Sequence, residues 1–430
     1  MENLKQSRCV IGIKGQTPDP DFPVDIWFAL EHVPQDSDVE AVIDQWLHAI
    51  ATDSQFYCKP DISKPEQLKE SVISLLQQNS LYTTRNAFFN DVFGALKLKP
   101  DFDAKFRFID LFAGIGGVRL GFQQNGGVCV FSSEFDKHAQ QTYKNNHGEI
   151  PFGDITKIPA NEIPDHDVLL AGFPCQPFSH AGLKLGIEDT RGTLFHDIAN
   201  ILETKKPKFA LLENVKGLIS HDKGYTLKVI LKTLTKMGYS CNIPKSVIEH
   251  GSTKEIQALA KEMVLKSVDF GIPQNRQRIY IVLWRDGEVK SFEYPKPLGI
   301  EVKVGDKLEE NPDPKLTISD RLWEGHQRRK IENKKNGKGF GFGLVTEESP
   351  YTNTISARYY KDGSEVLIAQ VGKNPRKISP REAARLQGFP DEFEPSTSKV
   401  QAYKQFGNSV TVNVIDGLAK KIRNILDGIN

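Results

Sequence analysis

One of the chain's five cysteines, Cys175, stands in "AGFPCQPFSHAG" (171–182), between Pro174 and Pro177. Each proline fixes its own φ and biases the residue before it, Phe173 or Gln176, to extended backbone, so the thiol's direction is preset. The run "DVLLAG" just before it reads as a strand, and the carboxyl edge of an open α/β sheet is where ligands bind. On this loop alone, a nucleophile and a buried structural thiol both stay open. A second group ends the run "KFALLENV", at Glu213 and Asn214. A right-handed crossover lays this strand parallel to the cysteine strand, so Cys175 and Glu213 can face one site. A carboxyl there can donate a proton if burial raises its pKa; the alternative is a helix cap. The third group is Gln274, Arg276 and Arg278 in "GIPQNRQRIYIV". If the strand that follows is antiparallel, it starts at the same edge, where arginines can hold an anion or steady a carboxylate. The alternative is an exposed basic loop.

A glycine turn precedes all three. "FIDLFAGIGGVRLGFQQNG" reads strand, turn, helix, with Gly114, Gly116 and Gly117 able to turn sharply and let a ligand approach the backbone. About 20 residues on, Glu134 ends the next strand, where an acid accepts hydrogen bonds from ribose hydroxyls in nucleotide-binding folds. Asp154 in "FGDI" is placed to take an adenine amino group. The turn is not G-x-G-x-x-G, so a plain structural turn competes with an adenosine-type cofactor site; the acid favours the cofactor.

These residues need a scaffold. Short apolar runs, "FRFIDLFAG", "VCVFSSEF", "DVLLAGF" and "FALLENV", alternate with amphipathic segments and predict buried parallel strands in a βαβ series. "RIYIVLW" predicts another strand, and "TLFHDIANILETKK" a crossover helix. Residues 285–377 lose the alternation and predict a smaller, mostly irregular or β-rich insert. Helical pattern returns in "SPREAARLQGF" and "TVNVIDGLAKKIRNIL". Residues 1–104 read as a separate, partly helical extension. In it Val39, Val42, Ile43, Trp46, Leu47 and Ile50 trace one helical face, Ser37 or Asp38 is placed to cap it, and Pro65 opens a second helix.

Composition bounds the rest. The chain has 430 residues, 39% hydrophobic and 26% charged, which fits a globular protein of two or three domains. No apolar run approaches the roughly 20 residues that span a bilayer. "MENLKQSRCV" lacks the features of a signal peptide, so a cytoplasmic location is expected, with no membrane partner. Five widely spaced cysteines without a CxxC suggest neither a disulfide framework nor a metal site. The net charge is +1, but "HQRRKIENKKNGKGFGFG" carries six basic residues between Arg328 and Lys338, suited to a polyanion or simply solvated.

Taken together the motifs resemble the DNA cytosine-5 methyltransferase family, in the family's order. "DLFAGIGG" is similar to its S-adenosylmethionine loop and "GFPCQPFS" to its catalytic loop; "RGTLFHDI", "LLENVKGL", "QNRQR", "SPREAARLQGFPDEF" and "QFGNSVTVNV" follow. The resemblance covers roughly 106–284 and 378–425. It implies a doubly wound, mostly parallel Rossmann-like sheet in residues 105–284 and 378–430, with an inserted target-recognition domain in 285–377. It implies that the Cys175 thiolate adds to C6 of a flipped cytosine, that Glu213 assists at N3, and that Arg276 and Arg278 serve the same site. Phe112, Gly114, Gly116, Glu134, Phe135, Asp154, Ile155, Leu194, Asn408 and Ser409 would hold S-adenosylmethionine, Phe135 by stacking where some members carry tryptophan. Under this resemblance Arg328, Arg329, Lys330, Lys334, Lys335 and Arg358 become candidate contacts to double-stranded DNA. A monomer is expected, working beside a cognate restriction endonuclease or alone.

Rival readings have specific weaknesses. A dinucleotide-dependent oxidoreductase would use the glycine turn and Glu134 but gives no role to "PCQ", "ENV" and "QNRQR" on one edge. A tRNA cytosine-5 methyltransferase would share the motifs, but an insert of some ninety residues argues for duplex reading. A catalytically dead DNA-binding regulator has no use for Cys175, Glu213 and the arginines. Amino-group methyltransferases typically carry an acidic or Asn Pro-Pro-aromatic tetrapeptide, which is missing.

Overall fold

The computed structural model describes residues 38–59, 65–174 and 193–429. The chain begins with α1 (Val39–Thr52), α2 (Pro65–Gln78) and α3 (Arg85–Phe93). The alternating part follows as β1 (Phe106–Leu111), α4 (Gly117–Gln123), β2 (Gly127–Ser133), α5 (Lys137–His147), β3 (Val168–Gly172), α6 (Leu194–Lys205), β4 (Phe209–Val215) and α7 (Tyr225–Lys236). Then come β5 (Tyr239–Ser240), α8 (Lys245–His250), α9 (Thr253–Leu259), β6 (Val264–Lys266) and β7 (Gln277–Arg285). These strands form a seven-stranded sheet in the order β2-β1-β3-β4-β7-β5, with β6 also paired to β7. The pairs β1–β2, β1–β3 and β3–β4 are parallel and β4–β7 is antiparallel, so the start of β7 does reach the carboxyl end of β4. The chain leaves β1 for β2 on one side and returns to β3 on the other. That reversal opens a crevice at the strand carboxyl ends.

Strands buried on both faces explain why the apolar runs were continuous rather than alternating. One face carries Ile109, Leu111, Leu169, Leu212 and Ile281 against α6 and α7; the other carries Phe108, Leu170, Leu211 and Val282 against α4 and α13 (Val412–Ile429).

Residues 38–104 are not set apart as the sequence suggested. Val42, Trp46, Phe88 and Phe93 belong to the same apolar core as β1 and β2. Asp38 caps α1, accepting from Ala41 N at 3.3 Å, and Trp46 stacks on Phe56 at 4.7 Å between ring centres. The buried Gln45 amide donates to Val130 O at 3.2 Å, stitching α1 to β2.

The insert also differs from expectation. It carries a 16-residue helix, α10 (Asp320–Lys335), capped by Ser319 accepting from Leu322 N at 3.4 Å. A three-stranded sheet follows: β8 (Leu344–Val345), β9 (Leu367–Gln370) and β10 (Lys373–Lys377). The basic stretch therefore lies largely on a helix, which its low apolar content concealed. The chain returns to the large sheet through α11 (Pro380–Arg385) and α12 (Lys399–Asn408), ahead of α13. Among the described residues no helix is long and apolar enough to cross a membrane.

Candidate active site

A cavity of ≈ 460 Å³ opens in the crevice. Its wall includes Phe112 and Gly114 after β1, Glu134 after β2, Gly172 to Pro174 after β3, Glu213 and Asn214 on β4, and Arg278 on β7. Leu194, Asn408 and Ser409 complete it. The expected catalytic edge and cofactor loop thus border one space.

The turn after β1 takes its shape from unusual backbone. Phe112, Gly114 and Gly116 have φ of 55°, 57° and 83°, and a Cβ at Gly114 would meet no protein atom within 4 Å. Gly114 is therefore open toward a ligand. Its N–H donates to Glu134 Oε2 at 2.8 Å, while Asp136 N donates to Oε1 at 2.7 Å. Burial raises the Glu134 carboxyl, and those backbone donors pull it back. Gly116, Phe135, Asp154 and Ile155 are not on the cavity wall. Phe135 is 76% exposed, Ile155 is buried in the core, and Asp154 caps a short turn, accepting from Thr156 N at 3.1 Å. Glu134 N donates to Phe152 O at 2.8 Å, which ties the segment leading into that turn to a residue of the cavity wall.

On the other side of the cavity Arg278 Nε lies 3.1 Å from Glu213 Oε1. Burial raises the Glu213 carboxyl; Arg278, then Arg276, pull it down less strongly. A carboxyl whose pKa is raised beside a guanidinium is suited to donate or share a proton with a ring nitrogen. Cys175 lies outside the described residues. The structure does describe Phe173 and Pro174, which lead into its loop, and Asn214 Nδ2 donates to Phe173 O at 2.8 Å. Asn214 is 3% exposed and anchors the approach to the cysteine.

Arg276 is not turned into the cavity beside Arg278. It is buried, and its guanidinium donates to Ile355 O and Gly407 O, each at 3.1 Å, and to Ser409 O. It clamps the insert and the Asn408–Ser409 wall to β7. Gln274 does related work, accepting from Ile355 N at 3.0 Å. Residues missed from sequence include Asp136 and Lys404, which pair at 2.8 Å on the cavity wall. Their separation of 268 positions left no local signal.

The proposed DNA contacts fall into two sets. Arg329 pairs with Asp362 at 3.0 Å, and Lys330 Nζ lies 4.2 Å above the Phe342 ring, so both also hold the insert together. Among the described residues Arg328 pairs with Glu332, at 3.9 Å, while Lys334, Lys335 and Arg358 are exposed.

A mostly parallel α/β sheet with a glycine turn, a following acid and a half-buried glutamate–arginine pair at its carboxyl edge defines a Rossmann-like group-transfer enzyme. The chain belongs to the C-5 cytosine-specific DNA methylase family, whose model matches residues 106–424, and is a DNA cytosine-5 methyltransferase. It is 58% identical over 328 residues to the type II methyltransferase M.NlaX of Neisseria lactamica, covering 76% of this chain and 98% of that one. It is 55% identical over 329 residues to M.SsoII of Shigella sonnei, covering 76% and 82%. The solved S. pombe Dnmt2 methyltransferase shares the fold, at 22% identity and a TM-score of 0.58, covering 76% of this chain and all of that one.

Proposed function

We propose that the protein transfers a methyl group from S-adenosylmethionine to C5 of a cytosine flipped out of double-stranded DNA, at a specific sequence. The observation that carries this reading is the half-buried Glu213–Arg278 pair, one strand from the Pro174 entrance to the Cys175 loop and facing the glycine-turn cavity. The cavity fits the cofactor: Gly114 offers open backbone and Glu134 a fixed carboxyl, and we assign Phe135, Asp154 and Ile155 to the same cofactor. When bound, S-adenosylmethionine supplies an electrophilic methyl group.

Carbon 5 of cytosine is a poor nucleophile. The Cys175 thiolate adds to C6 while Glu213 protonates or hydrogen-bonds N3, and C5 becomes enamine-like. After C5 has taken the methyl group, loss of the C5 proton and departure of the Cys175 sulfur restore the aromatic ring. Arg278 orients Glu213 and faces the base; Arg276 holds the surrounding walls. Extruding the base costs a few kcal/mol, which contacts to phosphates and neighbouring bases offset. We assign those contacts to 285–377, with Arg328, Lys334, Lys335 and Arg358 the available cations. Residues 105–284 and 378–430 form the catalytic unit. The type II relatives support a role in protecting DNA from a cognate restriction endonuclease.

Bisulfite sequencing of DNA from cells expressing the protein tests the reading. Cytosines should be spared from conversion at one short sequence, and Cys175→Ala should abolish the protection while retaining DNA affinity. Full turnover by that variant would exclude the covalent route.

A further inference from the structure

The cofactor loop leans on a chain of buried groups that ends outside the matched span 106–424. Directly behind Gly116 is the imidazole of His147; a Cβ at Gly116 would meet Nε2 at 2.1 Å. His147 is buried, and burial followed by the charge of Arg119 holds its pKa well below the usual histidine range. A neutral ring therefore backs the loop. It rests on Tyr143, with ring centres 4.6 Å apart. Arg119, in the helix that the loop opens, donates to the Tyr143 hydroxyl at 3.0 Å and pairs with Glu149 Oε1.

The other Glu149 oxygen faces α1: His48 Nδ1 lies 2.7 Å from Oε2, and both side chains are only 6% exposed. Burial pushes the Glu149 carboxyl up, but Arg119 and His48 outweigh it and hold the group down at about 2. Glu149 is thus a buried carboxylate bridging the family core and the segment before it. Neighbouring contacts fix the same alignment. Asp44 accepts from Ile150 N at 2.9 Å, and the His48 ring lies 4.5 Å from that of Phe93. Removing one partner of such a bridge leaves a charge that neighbouring groups must move to solvate.

We propose that His48 is a positioning residue for the cofactor loop. Through Glu149, Arg119, Tyr143 and His147 it sets the place of Gly116, so that α1 tunes affinity for S-adenosylmethionine without touching it. The inference rests on the reading that the cavity at Gly114 takes this cofactor.

The test compares S-adenosylmethionine affinity, by calorimetry on the full chain, for wild type, His48→Ala, His48→Gln and Gln45→Ala, well below every melting temperature. Gln45 also docks α1 but does not touch Glu149, so its variant reports docking alone. His48→Ala should raise Kd about fivefold or more. His48→Gln, which can offer an N–H to Glu149, should fall between it and wild type, and Gln45→Ala should match wild type. If His48→Ala fails to fold, His48→Gln against Gln45→Ala decides. Equal affinities throughout, or the same loss in Gln45→Ala, overturn the inference alone. Failure of the wild type to bind would overturn the cofactor reading and this inference with it.

Discussion

Arg278 Nε sits 3.1 Å from Glu213 Oε1, both largely buried, yet the arginine does not fully cancel the effect of burial on the acid. The raised pKa keeps the neutral acid populated to higher pH than in an ordinary glutamic acid. If that form assists at N3, methylation falls as pH rises through the Glu213 pKa. Glu213→Gln should lower kcat by roughly 10²–10⁴, the range for a positioned acid, and remove that limb of the pH–rate profile. Single-turnover methylation across pH checks both; an unchanged alkaline limb in the variant would assign the titration to another group.

Asn214 acts on the neighbouring loop. Its amide holds Phe173 O at 2.8 Å, two residues before Cys175. Asn214→Ala should loosen that approach and lower kcat about tenfold to a hundredfold, since small misplacements of a reacting group cost that much. Affinity for S-adenosylmethionine should change little. Steady-state kinetics beside a cofactor titration separate the two effects, and an equal loss in both would point to general damage.

Two glycines of one turn should respond differently to a methyl group. At Gly117 a Cβ would lie 2.7 Å from Ser409 Oγ and 3.1 Å from Phe389 Cζ, so Gly117→Ala should cost about 1–3 kcal/mol of stability by overpacking. At Gly114 a Cβ meets no protein atom, and the methyl would enter the cavity. Its φ of 57° adds about 1–2 kcal/mol of strain. Gly114→Ala should therefore show the larger loss of cofactor affinity relative to its loss of melting temperature. Thermal melts with and without S-adenosylmethionine give both quantities.

Much of this site is legible in the sequence itself. Strands buried on both faces must be apolar throughout, so β1 to β4 and β7 stand out in the sequence, and the acids and arginines at their ends fall on one edge by topology. Side-chain direction was not legible. Arg276 stands just before β7 and Arg278 lies on it, and nothing in their spacing says that one guanidinium turns to three carbonyls while the other meets Glu213. Partners far apart in sequence, such as His48 with Glu149 or Asp136 with Lys404, were equally hidden. The helix α10 was missed because an exposed, charge-rich helix has no continuous apolar stripe.

That helix supports the last prediction. Lys334 and Lys335 lie in its final turn and are exposed, whereas Arg329 is committed to Asp362. If the two lysines meet phosphates, Lys334→Gln with Lys335→Gln should weaken binding to all duplexes alike. Each lost phosphate contact should flatten the slope of log K against log salt by about 0.9, so the pair flattens it by about 2. Arg329→Gln should instead lower the melting temperature, because it leaves Asp362 without its guanidinium. Salt titrations on specific and unrelated duplexes distinguish these cases. An unchanged slope in the double variant would place the DNA on another face of the insert.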